Sequence, residues 1–113
     1  MFKIAEVPKS YTWPVVIYIP ADGGKTVKAT FDAEFKALEQ ERINDYIAGA
    51  GRESETDLLD ECVIGWKGVI DADGNDMPYS EHAKAKLIAI PYVRSGLVRA
   101  FFESITGGAR RKN

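Results

Sequence analysis

One cysteine, one histidine and two methionines in 113 residues leave little room for several kinds of chemistry. Cys62 has no second cysteine with which to close an internal disulfide. Nor do Cys62 and His82 suffice for zinc, which takes four Cys or His ligands in structural sites and usually three protein ligands in catalytic ones. Long apolar runs are missing too: stretches such as Val15 to Ile19 fall far short of the roughly 18 residues that span a bilayer. The start shows no basic segment, apolar core and small-residue cleavage site, so the expected setting is cytosolic. What is present has ordinary globular proportions, 45% apolar and 28% charged in 12.5 kDa, which suits one domain with one modest core.

Charge is unevenly placed beneath a net of −2. Residues 1–30 carry +2, residues 31–81 carry −10 and residues 82–113 carry +6. A long acidic middle repels a phosphate track, so nucleic acid is not expected as a partner, and the short apolar runs make a membrane unexpected too. Arg110, Arg111 and Lys112 follow Gly107-Gly108, and residues 107–113 are expected to form a flexible basic tail on a single α+β domain over 1–106.

Tyr11 to Ile19 is β-branched and aromatic, and Pro20 with Asp22-Gly23-Gly24 closes it as a turn. Val27, Ala29, Phe31, Ala33 and Phe35 then alternate with polar residues, so 11–36 reads as an antiparallel β-hairpin. Pro14, without a donor, belongs at the strand start or on its outer edge. Phe2 to Ala5 is a candidate third strand. From Leu38 the period lengthens: Leu38, Ile43, Tyr46 and Ile47 predict a helix over about 38–48, stopped by Gly49 and Gly51. Ser54 and Asp57 resemble a capping box opening a helix over 54–66 with Leu58, Leu59, Cys62, Val63 and Trp66 inward. Ser80 is a candidate N-cap for 80–90, with Ala83, Leu87 and Ile90 inward. Pro91 opens a last helix, 91–106, with Val93, Leu97, Val98, Phe101, Phe102 and Ile105 on one broad face. The expected architecture is an N-terminal hairpin packed on about four helices, an α+β fold.

The chemical motifs are weak. Asp71, Asp73 and Asn75 mimic the opening of a calcium loop, but Asp76 stands where Gly is required and His82 where the bidentate Glu belongs, so a surface turn is expected. Gly23-Gly24-Lys25-Thr26 ends like a phosphate loop, yet Ile19 replaces its first Gly and a strand follows. Cys62 falls on a helix's apolar stripe and His82 in a polar first turn, which suits packing and solvent rather than thiol catalysis. Asp60-Glu61 diverge around a helix and form a solvated acidic face. Aromatic residues make up 11% of the chain, enough for both a core and an interface.

Several segments taken in order resemble a known family over nearly the whole chain. They are Tyr11-Thr12-Trp13-Pro14-Val15 with Ala29 to Lys36, Ile64-Gly65-Trp66-Lys67-Gly68-Val69, Asp71-Ala72-Asp73-Gly74 leading to Pro78-Tyr79-Ser80, and Ala100 to Ile105 with Lys112-Asn113. Together they look like a tail assembly chaperone of a long-tailed bacteriophage or prophage. The resemblance implies a non-enzymatic protein of the bacterial host's cytoplasm, not retained in the mature virion, with no cofactor and no metal. Its implied partner is the tape measure protein, a long helix-rich chain that it keeps soluble while tail tube subunits are recruited. The tube protein, a longer frameshifted form of itself and homo-oligomers are further implied partners. Arg111-Lys112-Asn113 can be encoded by a slippery run of A, as such a frameshift requires. The last helix and the central Gly-Trp segment supply the expected partner-binding residues: Gly65, Trp66, Leu97, Phe101 and Phe102. Two other readings stand beside this one: a minor structural component of the phage tail, such as a tube-end or connector protein, and a small accessory or regulatory binding domain of an unrelated system.

Overall fold

The computed structural model describes residues 1–4, 7–49 and 51–107. Its elements follow in the order β1 (Ser10–Ala21), β2 (Lys25–Lys36), α1 (Gln40–Gly49), α2 (Gly51–Cys62), β3 (Val63–Lys67), α3 (Glu81–Ile88) and α4 (Pro91–Ile105). The three strands form one antiparallel sheet in the order β1-β2-β3, and the four helices pack with it into an α+β fold. No described helix is long and apolar enough to cross a membrane.

Alternation fixes the hairpin register. Val15 opposes Phe31, Trp13 opposes Ala33 and Tyr11 opposes Phe35, so the apolar positions of both strands share one face. The turn at Asp22–Gly24 uses positive φ at Gly23 and Gly24, both +77°. The would-be phosphate loop is thus a hairpin tip, and a strand follows it. β1 is an edge strand, and its Val16 carbonyl accepts a hydrogen bond from Arg99 Nη2 at 3.1 Å rather than from β2. Pro14 and Pro20 share the parity of Val16, so their missing donors fall on that outer edge and deny it to a further strand.

α4 lies along β1. A methyl group at Gly96 would sit 2.5 Å from Ile17 Cδ1 and 2.8 Å from the Val16 oxygen, so only glycine permits this approach. Beneath α4 the core centres on Phe35, edge-on to Tyr11 at 6.1 Å and to Phe101 at 5.4 Å. Val15, Ala33, Leu59, Cys62, Val63 and Leu97 close around this aromatic row.

Three expectations require correction. The third strand is Val63–Lys67, beside β2, while Phe2, Lys3 and Ile4 carry no strand and Ala5 lies outside the described residues. The helix expected to reach Trp66 therefore stops at Cys62; Val63 and Trp66 belong to β3, paired near Phe35 and Ala33 across a register shift. Ser54 sits inside α2, which begins at Gly51, so it is not that helix's cap. The other boundaries hold closely: Ser80 caps α3 by accepting from the Ala83 amide, and Pro91 opens α4. On α3 the residue facing inward beside Ala83 is Lys84, 3% exposed, with Ile88 below it. The expected basic end at Arg110, Arg111 and Lys112, with Asn113, lies outside the described residues.

Candidate partner-binding surface

The five residues expected to meet a partner do not form one surface. Leu97 and Phe101 are 2% and 0% exposed and belong to the core, because α4 turns this face onto Phe35. Gly65 is buried opposite Glu34, where an added methyl group would meet Glu34 Oε1 at 3.0 Å. Trp66 is half-buried: its indole N–H donates to the Met77 carbonyl at 2.8 Å and its ring meets Tyr79 edge-on at 5.0 Å. These bonds tie the 71–79 segment to β3, and Trp66 otherwise borders a polar depression with Thr12, Asp32, Glu34 and Lys67. Of the five, Phe102 alone lines an apolar cleft between helices.

That cleft is assembled from three helices. Phe102 and Val98, one turn apart on α4, form one wall; Tyr46 and Ile47 of α1 and Leu58 of α2 form the rest, with Ser54 and Glu55 at the mouth. Its volume is about 160 Å³, comparable to cavities that accept one benzene-sized group. Ile47 is 58% exposed, although its helical spacing from Ile43 suggested burial, and Ile105 beyond the far end of the α4 wall is 41% exposed. An open apolar surface of this kind on a small domain is suited to contact with another apolar group.

The cleft continues into an acidic depression. Tyr46 and Ser54 border both, and the second is lined by Asp45, Asp57, Asp60 and Glu61 with Arg42. Arg42 grips Glu61 with both guanidinium arms, Nη2 to Oε1 at 2.6 Å and Nε to Oε2 at 3.4 Å, and the Tyr46 hydroxyl donates to the same Oε1 at 2.6 Å. The guanidinium first, and the phenol second, hold the Glu61 carboxyl below its ordinary range. Its hydrogen bond to Glu61 raises the Tyr46 hydroxyl in turn. At the other rim Arg94 donates from Nε to Glu55 at 3.3 Å and from Nη1 to the Ile88 carbonyl at 3.3 Å, joining α2, α3 and α4.

Other chemistry-bearing residues are occupied structurally. Burial pushes the Cys62 thiol up to about 12, which suppresses the nucleophilic thiolate at neutral pH. His82 is exposed on the first turn of α3. Asp71 Oδ1 accepts the amides of Asp73 and Asn75 at 2.9 and 3.0 Å, folding that turn on itself. Among the described residues no group of three or more His, Cys, Asp or Glu side chains is placed to hold a metal ion.

The sequence pattern puts Leu58 on a buried stripe, Tyr46 and Ile47 on a helical period and Val98 on a broad face, without showing that they line one cleft. The available signal was their excess: α1, α2 and α4 each offer more apolar positions than one sheet face covers. No family model, no curated protein and no solved structure matches the chain.

Proposed function

We propose that this chain is a tail assembly chaperone of a long-tailed bacteriophage or prophage, acting by binding and without catalysis. Its client is the tape measure protein, held in solution in the host cytoplasm and released as tube subunits arrive. The ordered resemblance of the sequence segments supports the family. The observation carrying the mode of action is the apolar cleft of Tyr46, Ile47, Leu58, Val98 and Phe102, open between three helices. A helical client displays apolar side chains along one stripe, and a groove between helices receives them singly or in pairs. A cleft this small grips one such group, so each contact is weak, and firm yet reversible coverage requires many copies along one client.

Co-expression with a tape measure protein tests the reading. The expected result is co-elution and a soluble client, lost on Ile47→Asp, an exposed site whose substitution spares the core. Purified virions are expected to lack the chain by mass spectrometry. A client that precipitates equally with and without the wild-type protein overturns the proposal.

A further inference from the structure

The cleft is lopsided in charge. Along α4, Val98, Phe102 and Ile105 climb one face at 1.5 Å per residue, spanning roughly 10 Å, the reach of an i, i+4, i+7 stripe on an opposing helix. On the α1 and α2 side the rim is acidic, with Asp45, Asp57 and Glu61 beyond Tyr46, while Glu55 at the mouth faces Arg94 of α4. Residues 40–62 carry seven acidic against two basic side chains. On the opposite side, α4 turns to β1, where Arg99 is committed to the Val16 carbonyl and lies over the Tyr18 ring at 5.4 Å. The acidic rim already holds cations within the molecule: Arg42 against Glu61 at 2.6 Å and Arg94 against Glu55 at 3.3 Å.

We infer that this groove selects amphipathic helices whose apolar stripe is bordered on one flank by Lys or Arg, the basic flank lying over Asp45 and Asp57. The inference rests on the client-binding reading and adds its selectivity. Apolar contact supplies part of the affinity for any striped helix, whereas the rim separates basic from acidic flanks by attraction and like-charge repulsion. An acidic helix with the same stripe therefore binds more weakly.

Two fluorescent 21-residue helical peptides test this, sharing one leucine stripe and differing in three flank residues, Lys in one and Glu in the other. Binding to the full chain is read by anisotropy. The Lys-flanked peptide is expected to bind about tenfold more tightly at low salt, and the advantage to shrink to about twofold at 1 M salt, where the screening length is ~3 Å. Asp45→Asn with Asp57→Asn, both exposed, is expected to remove most of the discrimination while leaving affinity for the stripe. Ile47→Asp is expected to weaken both peptides, with an unchanged far-UV spectrum showing an intact fold. Equal binding of the two peptides, both lost in Ile47→Asp, overturns the charge selection and leaves the apolar groove standing. No binding of either peptide overturns both. Sedimentation showing a second copy over the groove, released by Ile47→Asp, also overturns the inference, in favour of self-association.

Discussion

Lys84 is the one buried charged side chain among the described residues, and its surroundings explain why burial is tolerated. Its ammonium donates to the carbonyls of Asp60 and Val63 at 2.8 and 3.1 Å, where α2 ends and β3 begins. The last carbonyls of a helix lack intrahelical donors and form its negative pole, so a buried cation there satisfies two acceptors at once. Asp60 and Glu81 carboxylates lie 3.4 and 3.3 Å away, and the Tyr79 ring faces the ammonium at 5.8 Å. Burial alone lowers the Lys84 pKa, but Tyr79, Glu81 and Asp60 together outweigh it and leave it above the ordinary value. Lys84→Met keeps the aliphatic stem and removes the donor, and urea titration is expected to show a loss of about 2–3 kcal/mol. Glu61 gives a pH-dependent counterpart. Its carboxyl is held low by Arg42 and Tyr46 in the folded state, so the unfolded chain binds the proton more readily. The stability this contributes is complete above the ordinary glutamate pKa of about 4.5 and disappears as pH falls through the lower folded value. Urea midpoints measured between pH 6 and 2.5 are expected to fall more gently below pH 4.5 in Glu61→Gln than in the parent.

Packing of α4 on β1 depends on a missing side chain. With Ile17 Cδ1 and the Val16 oxygen already 2.5 and 2.8 Å from a methyl position at Gly96, Gly96→Ala forces helix and strand apart. The better helix propensity of alanine, worth up to about 1 kcal/mol, is outweighed by overpacking against backbone. A net loss of about 1–3 kcal/mol is expected, read as a lower thermal midpoint. Elements whose pattern is local were legible: the alternation of Val27 to Phe35 gave the hairpin, Ser80 the start of α3, and Pro91 with Leu97 and Phe101 the last helix. β3 was not, because Leu58, Leu59, Cys62, Val63 and Trp66 recur at helical spacing even though the last two are extended. What decides them is distant: β2 needs a partner along Asp32 to Phe35, and Val63 to Lys67 supplies it. Gly65 inside a supposed helix, with β-branched Val63 and Ile64 before it, was the local sign of that outcome. The cleft escaped notice for a related reason. The α1 and α2 walls read as core stripes on their own helices, Phe102 reads as a partner-facing residue of a broad α4 face, and only the angle between three helices brings Ile47 and Phe102 to one opening. Its acidic rim, by contrast, was visible as the −10 charge of residues 31–81.

At the scale of the whole molecule, hairpin and helices share one core and should unfold together. Phe35 comes from β2, Tyr11 from β1 and Phe101 from α4, and the central ring touches both others edge-on. The Tyr11 hydroxyl is also hydrogen-bonded to Ser104 Oγ at 2.6 Å, so the start of the hairpin is fastened to the end of the last helix across nearly the whole sequence. Removing the central ring therefore loosens both halves rather than one. Phe35→Ala is expected to cost about 3–5 kcal/mol, from lost apolar transfer and the cavity left behind. The more informative reading is coincidence of probes. Trp13 and Trp66 lie in the sheet, so their fluorescence follows the strands, while far-UV dichroism follows the helices. In the wild type the two urea transitions are expected to superimpose, as they do for a single cooperative unit. In Phe35→Ala, or in the milder Phe35→Leu if the alanine variant is unfolded, both midpoints are expected to move down by the same amount. A fluorescence midpoint that falls while the dichroism midpoint stays in place would show helices that stand without the sheet, contrary to a shared aromatic core.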